Sequence, residues 1–186
     1  MKVSKFYTPK TTEMPYVKCI ADDPEQQEVY DMMNHIYSEV VHRYLAELGG
    51  RLFMVRRWMR FPVNSRLGDL DETFRFEAFE ADLSATPCQW RKVRGFGGRA
   101  LFLGSECTKF VRASKCVGVQ EDCIYFMHRT YDNPSREYSG PCVDPLGDSG
   151  VYNMRNGGIT PLLPEAMMAK LRLKRQFLTW FFPADV

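Results

Sequence analysis

No stretch of the sequence approaches the roughly 18 consecutive apolar residues that a membrane-spanning helix needs. The first twenty residues, MKVSKFYTPKTTEMPYVKCI, also lack the apolar core of a secretory signal. The expectation is a soluble, unexported protein of the cytoplasm or nucleus with no membrane partner. Charge of one sign is lacking too: 25 basic and 23 acidic residues leave a formal net charge of +2, so no global field favours nucleic acid over other partners. Six cysteines (Cys19, Cys88, Cys107, Cys116, Cys123, Cys142) suffice in number for three bridges, but none forms the close C-x2-C pair of a zinc site. There is no N-x-S/T acceptor either, so the intracellular reading holds and the thiols are expected to be free. Neither metal nor cofactor is expected.

What the chain does have is 45% hydrophobic and 13% aromatic residues over 186 positions, enough for one domain that buries roughly 70% of its unfolded surface. Residues 1–21 read as a loosely ordered tail and 22–186 as the domain. From Asp22, DDPEQQEVYDMMNHIY offers Pro24 near a first helical position and Val29, Met32, Met33 and Ile36 at helical spacing, which predicts a short N-terminal helix. Another is expected near the end, where PEAMMAKLRLKRQFL begins at Pro164, with TWFF after it as a short strand.

Between these the texture is β. VVHRYLAEL and RLFMVRRW flank Gly49-Gly50, the signature of a two-residue hairpin turn. In FRFEAFEADLSATPCQWRKV the apolar alternation changes phase near Ala78, which predicts a β-bulge there, and a turn at residues 84–87 leads into a return strand. RALFLG, TKFVRAS, DCIYFMHR, SGVYNMR and GITPLL follow as short runs divided by Gly, Asp/Asn or Pro. Many short strands in series, with aromatic-rich hairpins about every 40 residues, favour an all-β, mainly antiparallel fold: a partial β-propeller of about three blades.

Several of these strings, taken together, resemble the KIB-type β-propeller domain that follows an F-box in many plant proteins. They are YLAELGGRLFMVRRW, FRFEAFEADLSATPCQWRKVRGFGGRALFLG, CVGVQEDCIYFMHR, DSGVYNMRNGGI and the terminal WFFP, in the family's order over about residues 39 to 186. Within them Trp90 and Val93 close one blade before Ala100 to Leu103 opens the next, and the large Trp90 ring is expected to lock the two blades. The resemblance implies a propeller that holds a protein destined for ubiquitination, beside an F-box that docks on a Skp1-type adaptor. The first forty residues show no Leu-Pro-rich three-helix F-box pattern. The expectation is therefore a non-catalytic protein-interaction module with a protein partner and without the adaptor. An incomplete circle of blades would leave an apolar face open to self-association.

Two other readings compete. GDSG at residues 147–150 has the form of a serine-protease nucleophile loop, making Ser149 the candidate of a hydrolase alternative, but only His35, His42 and His128 could act as base. Arg51, Arg56, Arg57, Arg60 and Arg66, interleaved with Phe53, Trp58 and Phe61, form the stretch Arg51 to Arg66 that a nucleic-acid groove would use. The bland accounts are a turn before a strand and a solvated blade edge. GFGGRA at residues 95–100 fits a loose dinucleotide loop, yet ALFLGSE after it is too short for the required helix, so a blade-to-blade turn is expected. LRLKRQFLTWFF is basic and apolar like a membrane-surface helix, and is expected instead to dock on the core. No binding, catalytic or metal residue is assigned.

Overall fold

The computed structural model describes residues 37–62, 72–104, 108–127, 147–173, 180 and 182. The expected N-terminal helix lies outside them. β1 (Tyr37–Leu48) and β2 (Arg51–Pro62) form a long hairpin in the register Leu48↔Arg51 to Tyr37↔Pro62. Its turn is made by Gly49 and Gly50 at φ 59° and 80°, the left-handed pair that matches the twist of the flanking strands. β3 (Glu72–Asp82) and β4 (Gln89–Val93) extend the hairpin into a four-stranded antiparallel sheet in sequence order, the form of a propeller blade.

The bulge is in β3, but at Phe74: Trp58 faces Arg75 while Met59 faces Thr73. At Ala78, where the sequence placed it, pairing is regular, with Val55 opposite. Residues 76–79 are all buried, so the change of phase read there reflects burial on both faces of the sheet.

The second sheet departs from a simple meander. β5 (Arg99–Leu103), β6 (Thr108–Arg112), β7 (Cys123–Phe126), β8 (Gly150–Asn153) and β9 (Ile159–Thr160) lie in the order β6-β5-β7-β8-β9. Neighbours are antiparallel except β5 and β7, which run parallel with Leu101 opposite Ile124. Helix α1 (Glu165–Leu173) follows Pro164 as expected, and among the described residues no helix is long and apolar enough to cross a membrane. Among the described residues the class is all-β with one short α-helix.

The main core lies between the sheets. Phe53 and Val55 of β2 and Phe76 of β3 meet Leu101, Ile124 and Phe126 of the second sheet. Phe96, in the connection between the sheets, presents its edge to Phe53 and Phe110 at 6.3 and 5.0 Å. On the other face of the second sheet Phe102 stacks on Tyr125 at 4.6 Å and meets Trp180 and Phe182 edge-on. Trp180 Nε1 donates to the Leu103 carbonyl at 2.8 Å. Trp180 and Phe182 therefore dock on the core, although neither belongs to a strand.

Candidate functional site

The charged groups sort into three clusters, each around a buried carboxylate, and a surface groove. Arg57, 1% exposed, points from β2 into the seam between the sheets. Its Nε donates to Thr73 Oγ1 at 2.8 Å, and one terminal nitrogen donates to Tyr44 Oη at 3.4 Å and the Met127 carbonyl at 3.1 Å. The other donates to the Asp148 carbonyl at 3.3 Å and to Asp148 Oδ2 at 2.8 Å. Five acceptors thus meet the five N–H groups of a guanidinium, the condition under which a buried cation is tolerated. Burial opposes its charge, but the Asp148 carboxylate and the Tyr44 hydroxyl hold its pKa above the ordinary guanidinium value. Asp148 also accepts from the Thr73 amide and hydroxyl at 2.9 and 2.7 Å, and the Phe126 ring lies 4.8 Å from the guanidinium carbon. The Phe74 bulge makes this possible, because it turns Thr73 to the same face as Arg57.

Asp122 organises the opposite end of the seam. It sits at φ 54°, a left-handed backbone that Asp adopts more readily than bulky residues. Its carboxylate accepts from the Phe96 amide at 2.6 Å and from Arg155 at 2.8 and 3.2 Å. Burial works against ionisation, but Arg155 and the Phe96 amide outweigh it and keep the carboxyl below its usual range. A Cβ on Gly95 would come within 2.8 Å of that carboxylate. The glycine in GFGGRA thus admits a side chain of the protein itself, and strand β5 follows at once.

On the outer face of the first sheet Glu77 accepts from Lys92 Nζ at 2.6 Å, from Trp58 Nε1 at 3.3 Å and from Arg75, with Arg56 at 3.6 Å. Burial pushes its pKa up, but the Lys92 and Arg75 contacts prevail and bring it down to about 2. Next to this cluster an open groove of about 330 Å³ runs along the seam. Arg75, Lys92, Arg94 and Arg155 stand on its rim, and Phe76, Val93 and Tyr152 contribute to its floor.

The candidate residues of the sequence separate accordingly. Arg51 is exposed and bidentate to Glu80 at 2.5 and 2.6 Å, and Arg60 pairs with Glu72 at 2.8 Å. Arg56 and Arg57 are buried, which corrects the solvated-edge reading for both, since adjacent strand residues point to opposite, covered faces. Phe53 is core, Trp58 is bonded to Glu77, and Arg66 and the Phe61 side chain lie outside the described residues. Ser149 is half-buried, and its neighbour Asp148 is committed to Arg57 and Thr73. GDSG is a turn entering β8, where a Cβ on Gly150 would meet the Thr160 carbonyl at 2.9 Å.

His42 faces Arg57 in register on β1, while His35 and His128 lie outside the described residues. Cys88, Cys116 and Cys123 are free thiols, and burial followed by the Asp122 charge raises that of Cys123. Cys19, Cys107 and Cys142 are outside the described residues. Among the described residues no cluster of His, Cys, Asp or Glu could hold a metal. Trp90 is half-exposed and apart from both apolar clusters, so the inter-sheet ring is Phe96 instead. Arg57, Asp122 and Asp148 carry the seam and were not singled out from the sequence as a set. Of these, only Asp148 lay in a string read as a turn, GDSG.

The chain matches no curated protein and no solved structure. It does match the family model described as KIB1-4 beta-propeller, over residues 1–153. That match includes the residues read as a tail and ends at Asn153, the last residue of β8. By this match over most of its length, the chain belongs to the KIB1-4 β-propeller family.

Proposed function

We propose that the chain is a non-catalytic protein-interaction module acting in the cytoplasm or nucleus of a plant cell, equivalent to the substrate-holding part of an F-box ubiquitin-ligase receptor. The observation that carries this reading is membership of a propeller family over residues 1–153. The geometry supports it: Arg57, Asp148, Asp122 and Glu77 are each committed to ion pairs that join strands or sheets. Chemistry at such groups would require breaking the contacts that hold the seam together.

The test is affinity capture of the tagged chain from plant extract with cross-linking and mass spectrometry. A stoichiometric protein partner is expected. Absence of any protein partner would overturn the target-holding reading, and Ser149-dependent labelling by a fluorophosphonate probe would overturn the non-catalytic one.

A further inference from the structure

The groove at the seam offers charge and apolar area together. β4 pairs with β3 from Ala78 to Asp82 and stops at Val93. Residues 75–77 of β3 therefore run on past the end of β4, and the groove occupies the space a longer β4 would fill. Across it stands the turn after β8, with Tyr152 Oη donating to the Phe76 carbonyl at 3.3 Å.

The charges do not balance. Four cations, Arg75, Lys92, Arg94 and Arg155, line the groove, and three of them pair with Glu77, Glu121 and Asp122. Arg94 is exposed and has no carboxylate partner among the described residues. Lys92 and Arg75 both rely on the single Glu77. Rim cations with unused donors attract carboxylates and steer their approach, while the partly buried side chains of Val93 and Met154 in the groove suit an apolar residue set between acidic ones.

We propose that this groove binds an extended acidic peptide segment of a partner protein, with carboxylates at Arg94 and Lys92 and an apolar side chain beside Val93 and Met154. The occupant is extended because the site continues the line of a β-strand, a common mode of peptide recognition. The proposal rests on the protein-interaction reading and names its partner class.

The probe is a fluorescein-labelled twelve-residue peptide alternating Glu or Asp with Leu, titrated with the full chain by fluorescence polarisation. Controls are its Lys-for-acid counterpart and an oligothymidylate of equal charge. The acidic peptide is expected to bind, the basic one not to, and Arg94→Glu to weaken binding at least tenfold. Lys115→Glu, which reverses an exposed cation on the turn after β6, should leave it unchanged. Absent binding of the acidic peptide, or equal binding by Arg94→Glu, overturns the proposal. Tighter Arg94-dependent binding of the oligonucleotide overturns it in favour of a nucleic-acid site. Affinity capture separates the two levels: a partner retained by Arg94→Glu sinks the groove and spares the interaction reading, whereas no partner with the unaltered chain sinks both.

Discussion

Both sheets are covered on two faces, yet they fill those faces with different chemistry. The first buries Arg56, Arg57, Thr73 and Glu77 among its aromatic and aliphatic side chains. In the second, β5 buries Ala100, Leu101, Phe102 and Leu103, and every residue of β7 from Cys123 to Phe126 is buried. Apolar burial is strong but non-directional, so the second sheet supplies driving force without fixing where the first must sit. A guanidinium with five placed acceptors is directional, and Arg57 supplies that placement across the seam.

The strongest way to break this contrast is Arg57→Met, which keeps the length of the side chain and strands the Asp148 carboxylate. Loss of one partner of a buried pair costs about 3–5 kcal/mol, a large share of the 5–15 kcal/mol that holds an ordinary domain together. The urea midpoint should fall sharply. Arg57→Met combined with Asp148→Leu should recover part of the loss, because no charge is then left unpaired. A single variant within 1 kcal/mol of the parent protein would show that the seam does not depend on this pair.

The second sheet should respond differently. Phe102→Ala removes the ring that stacks on Tyr125 and seats Trp180 and Phe182, and truncating a buried Phe costs about 3–5 kcal/mol. With only one face of that sheet affected, the lower end is expected. The loss should be the same at pH 4 and pH 7 and insensitive to salt, and Trp180 should become more solvent-exposed by fluorescence quenching. A pH-dependent loss would mean that the apolar layer is coupled to the charged seam.

This contrast also explains which parts were legible in the sequence. The Gly49-Gly50 hairpin, the all-β class and the helix after Pro164 are local signals, each carried by neighbouring residues. The parallel pairing of β5 with β7 depends on what lies between Leu103 and Cys123 and on a shared core, and nothing in RALFLG or DCIYFMHR announces it. The bulge was misplaced because period-2 alternation assumes one covered face, and residues 76–79 are covered on both. The arginine stretch was legible as charge but not as position: alternation sends Arg56 and Arg57 to opposite faces, and only a sheet buried on both sides hides the two. The groove could not be read at all, since its rim joins residues 75, 92, 94 and 155 through tertiary packing.

Glu77 sharpens the comparison on the charged side. Its folded-state pKa is lowered to about 2, so its stabilising contribution is fully present above the unfolded value near 4.5 and is lost as pH falls from there toward 2. Urea midpoints should hold from pH 7 to about 5 and decline below. Glu77→Gln should cost about 1–2 kcal/mol at pH 7 and flatten part of that decline, with Asp122, Glu80 and Asp82, whose pKa values are also lowered, acting in the same direction. An unchanged acid profile in Glu77→Gln would remove Glu77 as a source of the pH dependence.

The smallest effect is expected at the rim of the same sheet. Arg51 is bidentate to Glu80 and its guanidinium carbon lies 5.1 Å from the Phe53 ring centre, so geometry alone would rank it beside Arg57. Exposure reverses the ranking: the Arg51 side chain is 55% accessible, and water and salt screen a pair that also costs side-chain entropy to hold. Arg51→Ala should therefore cost about 0.5 kcal/mol or less at low ionic strength, and less again at 1 M salt, where the screening length is about 3 Å. A loss above about 2 kcal/mol that persists in salt would show that the Arg51 alkyl stem over Phe53, and not its charge, closes that end of the core.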